Sequence, residues 1–148
     1  MKITITPYSA EDKADVLAMM ALFNQIEGYP FNPAVWEKNL EEFTTNKSLG
    51  RIFLITYENS TVGYIVLAFG FSFEYKGRDA FIDEIFIKEG YRNRGIGKIA
   101  MDFIEAKARE LGVNAIHLEV EAHNENAAML YLNKGYTSNN RKLLTKRL

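Results

Sequence analysis

The chain has 148 residues, 47% apolar and 25% charged, an ordinary balance for a globular protein with a sizeable core. Its net charge of −1 gives no reason to expect bulk binding to nucleic acid or to a membrane surface. Cysteine is absent, which excludes disulfides, thiolate metal sites and a thiol nucleophile. Met1 to Tyr8 alternates polar and apolar residues without the apolar centre of a signal peptide. No apolar run reaches membrane-spanning length. The expectation is a single domain, residues 1–148, in the cytoplasm.

Lys2 to Thr6 alternates like a short edge strand that Pro7 stops. Ser9 and Asp12 stand in capping-box positions, and Val16, Leu17, Met20, Phe23 and Ile26 keep helical spacing up to Gly28-Tyr29-Pro30. Asn32-Pro33 pairs a cap with proline at the first helical position, and a second helix follows through Trp36 and Leu40 to Phe43. Arg51 to Tyr57 and Val62 to Phe73 are strand-like, with Glu58-Asn59-Ser60-Thr61 as a hairpin turn. Lys76-Gly77-Arg78-Asp79 turns the chain into a strand from Ala80 to Ile87. After Gly97 a helix buries Ile99, Ala100, Phe103, Ile104, Ala108 and Leu111 and closes at Gly112. Ala115 to Glu121 is a further strand, and Asn124 or Asn126 caps a short helix from Ala127 to Lys134. Tyr136 to Leu148 is expected to add the last strand or two. The order β-α-α-β-β-β-α-β-α-β reads as an antiparallel meander followed by one β-α-β crossover.

Arg92-Asn93-Arg94-Gly95-Ile96-Gly97 lies between the strand and the helix. Both glycines can take positive φ and admit a ligand close to the backbone. The helix that starts there presents unpaired N–H groups and a positive dipole end, which suits a pyrophosphate. Three patterns compete for the turn. Gly95-Ile96-Gly97-Lys98-Ile99-Ala100 matches the dinucleotide fingerprint, with Glu119 placed as a ribose-binding acid. Against it, Lys88 to Arg94 separates strand from turn, and the preceding strands are hairpins rather than β-α-β units. Gly90 and Gly95 resemble half a P-loop, but Ile96 stands where its lysine must be.

The third pattern, R-x-x-G-x-G, resembles the acyl-CoA pyrophosphate loop of the GNAT superfamily, the acetyl-CoA-dependent N-acetyltransferases. Asn124-x-x-Ala127-x-x-Leu130-Tyr131-x-x-x-Gly135-Tyr136 resembles the family's C-terminal signature at the expected distance. The resemblance is carried by motif over Phe81 to Tyr136, and by element order alone over Met1 to Arg78. It implies an α/β fold with a central mixed sheet of about six to seven strands and helices on both faces. It also implies acetyl-CoA as co-substrate and no metal. His117 and His123 lack patterned ligands around them, which agrees with the last point.

The resemblance further implies a set of site residues. Arg92, Asn93, Arg94, Gly95, Ile96, Gly97 and Lys98 would hold the phosphates. Backbone N–H groups of Ile85, Phe86 and Ile87 would meet the oxyanion and pair with the pantetheine arm. Asn124 and Ala127 would contact the coenzyme arm, although a plain N-cap also explains Asn124. Tyr131 matches the family tyrosine near the coenzyme sulfur and would be the acid; a core aromatic is the alternative role. Asp83 matches the carboxylate of polyamine- and aminoglycoside-acetylating relatives.

Acetyl transfer to an amine requires a base, oxyanion stabilisation and a proton for the departing thiolate. No nucleophilic triad stands out, so direct attack of the amine is the simpler route. Adjacent side chains on a strand point to opposite faces, so one of Asp83 and Glu84 is expected to face the cleft, with Glu84 as the choice if a bulge changes the register. Sheet-end carboxylates paired with surface cations are the alternative for both. Glu27, Tyr29 and Phe31, with Asp83, are the candidate substrate-binding residues, and Trp36 clusters with them. Aromatics with carboxylates suit a cationic small-molecule amine. A protein or peptide acceptor, a non-catalytic acyl-CoA-binding module and a dinucleotide-binding fragment stay open. Tyr136 to Leu148 contains nothing that forbids a homodimer of the kind many relatives form.

Overall fold

The computed structural model describes residues 2–148, which divide into two compact units that part between Leu118 and Glu119. The first holds a five-stranded sheet in the order β1-β2-β3-β4-β5. Its strands are β1 (Ile3–Pro7), β2 (Gly50–Tyr57), β3 (Ser60–Ser72), β4 (Gly77–Ile87) and β5 (Ala115–His117). All neighbours pair antiparallel except β4 and β5, which are parallel.

Two helices, α1 (Lys13–Glu27) and α2 (Pro33–Thr45), connect β1 to β2. Asn32 caps α2, its side-chain oxygen accepting from the Ala34 and Val35 N–H groups at 3.1 and 3.3 Å. Gly28 ends α1 in the left-handed conformation. Val16, Met19, Met20 and Leu40 of these helices pack with Ile52, Leu54, Tyr64, Val66 and Phe86 of the sheet. On the other face lies α3 (Ile96–Glu110), which buries Ile96, Ala100, Met101, Ile104 and Ala108 and sets Phe103 edge-on to Phe53 at 5.1 Å. The expected mixed sheet with helices on both faces is present.

The sheet has five strands among the described residues, rather than six to seven. β5 ends at His117 instead of Glu121, and Tyr136 to Leu148 forms no strand. A strand needs a partner ladder and a face to bury. Ser138-Asn139-Asn140-Arg141-Lys142 is polar and solvent-exposed, so it offers no apolar face.

In the second unit α4 (Glu125–Asn133) is capped by Asn124, whose Oδ1 accepts from the Ala127 N–H at 3.2 Å. Gly135 follows with φ 92°, and the Tyr136 N–H donates back to the Tyr131 carbonyl at 3.0 Å.

Candidate functional site

The parallel pairing of β4 with β5 runs only from Asp79 opposite Ala115 to Phe81 opposite His117. Beyond Phe81, β4 continues to Ile87 with its other edge still bonded to β3. Ile82 to Ile87 therefore has one edge free of the β5 ladder, and Ile85, Phe86 and Ile87 all lie on it. His117 Nε2 sits 2.9 Å from Asp79 Oδ2, flanked by Tyr75 and Phe81, where the two strands part. Among the described residues, no three or more His, Cys, Asp or Glu side chains are grouped as the ligands of a metal ion would be.

From Ile87 the chain makes a short 3-10 turn, Glu89–Tyr91, and reaches α3 through Arg92 to Gly95. Asn93 (φ 62°) and Gly95 (φ 80°) are left-handed. Gly97, expected to share that conformation, lies inside the first turn of α3, because the helix starts at Ile96. The first helical bond runs from the Ile99 N–H to the Gly95 carbonyl at 3.2 Å, leaving the N–H groups of Ile96, Gly97 and Lys98 ahead of it. No side chain caps this end and no acidic residue sits in its first turn. A Cβ on Gly95 would meet no heavy atom within 4 Å, so the space in front of the turn is open. These features fit an anion.

The expected cations are differently employed. The Arg92 Nε donates to the Ile87 carbonyl at 2.8 Å, tying the loop to the end of β4. The Arg94 guanidinium lies 5.8 Å from the Tyr57 ring centre and 5.5 Å from that of Tyr91. Lys98 pairs with Asp102 at 3.1 Å on the exposed side of α3. All three cations are solvent-exposed and can turn toward a phosphate.

The register of β3 on β4 shifts at one place. Val66 pairs with Glu84 and Leu67 with Ile82, so Asp83 is an extra residue in a β-bulge. This corrects the expectation that one of the two carboxylates faces the cleft. Both line a cavity of about 370 Å³ together with Met20, Trp36, Asn39, Leu40, Glu42, Phe43, Leu49, Ile52 and Val66. Asp83 as a whole residue is exposed, but its carboxyl still loses enough water for burial to push its pKa up. Burial likewise raises Glu84, opposed by the Tyr64 hydroxyl, which donates to Glu84 Oε1 at 2.6 Å, and helped by the Asp83 charge. Tyr64 is fully buried, and its own pKa is pushed far up by burial and by Glu84.

Glu27, Tyr29 and Phe31 fall at the α1–α2 junction and outside this lining; Phe31 instead packs on Trp36 at 4.8 Å between ring centres. The wall comes from α2. Sequence reasoning passed over Asn39 and Glu42 and gave Phe43 only as the end of the helix, although Trp36, Asn39, Leu40 and Phe43 keep the i, i+3, i+4, i+7 spacing of one helical face.

In the second unit, Tyr131 lies on α4 with its ring 6.1 Å from that of Tyr136. Burial raises the Tyr131 pKa, so its phenol stays protonated. Asn124 caps the helix, and Ala127 supplies the N–H that it binds.

An antiparallel meander closing on one parallel pair, with an open-edged strand leading into a glycine helix entry, defines an acetyltransferase-type α/β fold. The family model for the acetyltransferase (GNAT) family matches residues 16–136, and the chain belongs to that family. An uncharacterised N-acetyltransferase of Bacillus subtilis (strain 168), YdgE, is 38% identical over 63 residues, which is 43% of this chain and 40% of the relative. The alignments thus span only 32% to 40% of the length of the curated relatives that the chain matches. An integron cassette protein from the mobile metagenome of Cole Harbour Salt Marsh superposes with a TM-score of 0.87 at 28% identity, over 97% of this chain and 90% of that one. A predicted acetyltransferase of Clostridium acetobutylicum, solved with acetyl-CoA, superposes with a TM-score of 0.81 over 98% of this chain and 96% of that one. At 16% identity, that likeness shows the fold alone.

Proposed function

We propose that the protein transfers an acetyl group from acetyl-CoA to a primary amine of a small molecule, by direct attack of the amine. One observation carries the acceptor class. Asp83 and Glu84, on the stretch of β4 with a free edge, face a cavity that Glu42, Trp36 and Phe43 also line. Its charged lining residues are all acidic, and aromatic rings form part of its wall. Both features favour an ammonium group.

Acetyl-CoA supplies the acetyl group as an activated thioester. The N–H groups of Ile96, Gly97 and Lys98, with Arg92, Arg94 and Lys98 as cations, would take its phosphates. The free edge at Ile85 to Ile87 would pair with the extended pantetheine arm as an added strand. In the second unit the family motif assigns Asn124 and Ala127 to the coenzyme arm and Tyr131 to the proton required by the departing sulfur. The phenol is kept neutral by burial, as a donor must be. In the transfer the N–C bond forms and the C–S bond breaks. The ammonium gives up two protons in all: one passes to a cleft carboxylate and on to solvent, and the other makes good the proton that Tyr131 gives to the departing thiolate.

The test is acetyl-CoA-dependent thiol release against polyamines, aminoglycosides, amino sugars, amino acids and peptide N-termini. The chain has no cysteine, so it contributes no thiol background. Turnover with one class of small amine is the expected outcome. Turnover with peptides alone would overturn the acceptor class. Tight acetyl-CoA binding with no turnover would point instead to an acyl-CoA-binding module.

A further inference from the structure

The two carboxylates that share the cavity are not equivalent. The Tyr64 hydroxyl donates to Glu84 Oε1 at 2.6 Å, while Asp83 has no hydrogen-bond or ion-pair partner among the described residues. Tyr64 is 0% exposed, and its ring stacks on Phe86 with centres 5.7 Å apart, edge-packed in turn by Phe23. Val66, which neighbours Tyr64 on the same face of β3, is the residue opposite Glu84. The bulge at Asp83 is what turns Glu84 onto this face.

From this geometry we infer that Tyr64 is a positioning residue, which holds Glu84 in one orientation as the proton acceptor for the substrate ammonium. Asp83 is left free to bind the cation. The inference rests on the transferase reading above and deepens it. The proton balance is direct: Glu84 takes one proton from the ammonium, and the neutral amine keeps the lone pair that attacks. The groups facing Glu84 are Asp83 on its own strand, Tyr64 from β3 and Glu42 from α2. α1 and β2 contribute Met20 and Ile52, neither of which titrates. A donated hydrogen bond favours the ionised carboxylate and opposes the desolvation and like charge that raise it.

The test is the pH profile of kcat/KM for Tyr64→Phe in the full-length chain, which keeps the buried ring and removes only the donor. The acidic limb should move up by about one pH unit, with kcat falling by up to about tenfold below it and the acceptor KM little changed. The Glu84 carboxyl, followed by carbon NMR in the protein without ligand, should titrate higher in this variant by a similar amount. Glu84→Gln should lose kcat, and Asp83→Asn should mainly raise the acceptor KM. An active wild type with an unmoved limb in Tyr64→Phe would overturn this role alone. So would loss of kcat in Asp83→Asn with Glu84→Gln intact. A wild type that transfers to no amine would overturn the transferase reading, and this role with it.

Discussion

Asp83 and Glu84 are consecutive in the chain and yet line one cavity, because the bulge between Ile82 and Glu84 cancels the alternation of a regular strand. Burial raises both carboxyl groups above their ordinary range. The folded chain therefore holds these protons more tightly than the unfolded chain does. Their contribution is favourable below the unfolded carboxylate range, about pH 4, and is lost as pH rises through the folded values. At neutral pH the ionised pair costs stability. Asp83→Asn should raise the thermal midpoint at pH 7 by about 2–4 °C for each kcal/mol recovered, and change it much less at pH 4. Scanning calorimetry at the two pH values checks this. An equal shift at both would disconnect the effect from ionisation.

Gly95 combines a left-handed φ of 80° with open space in front of its Cα. Gly95→Ala meets no neighbour, so its cost is conformational, about 1 kcal/mol. The fold should persist while CoA affinity drops at least tenfold, about 1.4 kcal/mol, because the methyl group occupies the approach to the helix N-terminus. Gly97→Val probes the same approach from inside the first turn of α3. Isothermal calorimetry with CoA reads both variants, and unchanged affinity in the two would remove the phosphates from this turn.

Gly63 is constrained differently. It lies opposite Ile87 on β3, and an added Cβ would run into the carbonyl oxygen of Phe86, a backbone atom that cannot swing away. Gly63→Ala should cost about 3 kcal/mol, at the high end of overpacking effects. It should also shift the end of β4, from which Arg92 hangs through the Ile87 carbonyl. Urea unfolding measures the first effect. A loss below 1 kcal/mol would mean that the two strands separate at little cost.

Tyr131→Phe tests the motif-based acid. General acids contribute on the order of a hundredfold or more, so kcat should fall by about that factor, with the acetyl-CoA KM nearly unchanged. The ring stays, and its packing against Tyr136 with it, so the thermal midpoint should hold. Wild-type kcat in this variant would leave Tyr131 as a packing residue.

Most elements were legible because their signals are local. Asn32-Pro33 starts α2, Gly28 stops α1, Asn124 caps α4, and the Glu58-Asn59 loop takes left-handed φ at both positions of a two-residue hairpin. The family was legible for a related reason. A phosphate cradle at a helix start and a short capped helix are each written in one stretch of chain.

The sequence by itself determined where helices and turns fall, which loop could cradle an anion and which family the chain belongs to, since caps, periodicity and motifs are short-range. Only the tertiary structure decided that Asp83 is a bulge, that Glu84 is held by Tyr64, that α2 supplies the cavity wall and that β5 leaves β4 after Phe81. Each depends on the register between strands or on helix-to-sheet packing. A one-residue slip in that register turns every later side chain to the other face, and nothing in the local sequence near Asp83 specifies which residue of β3 it must pass.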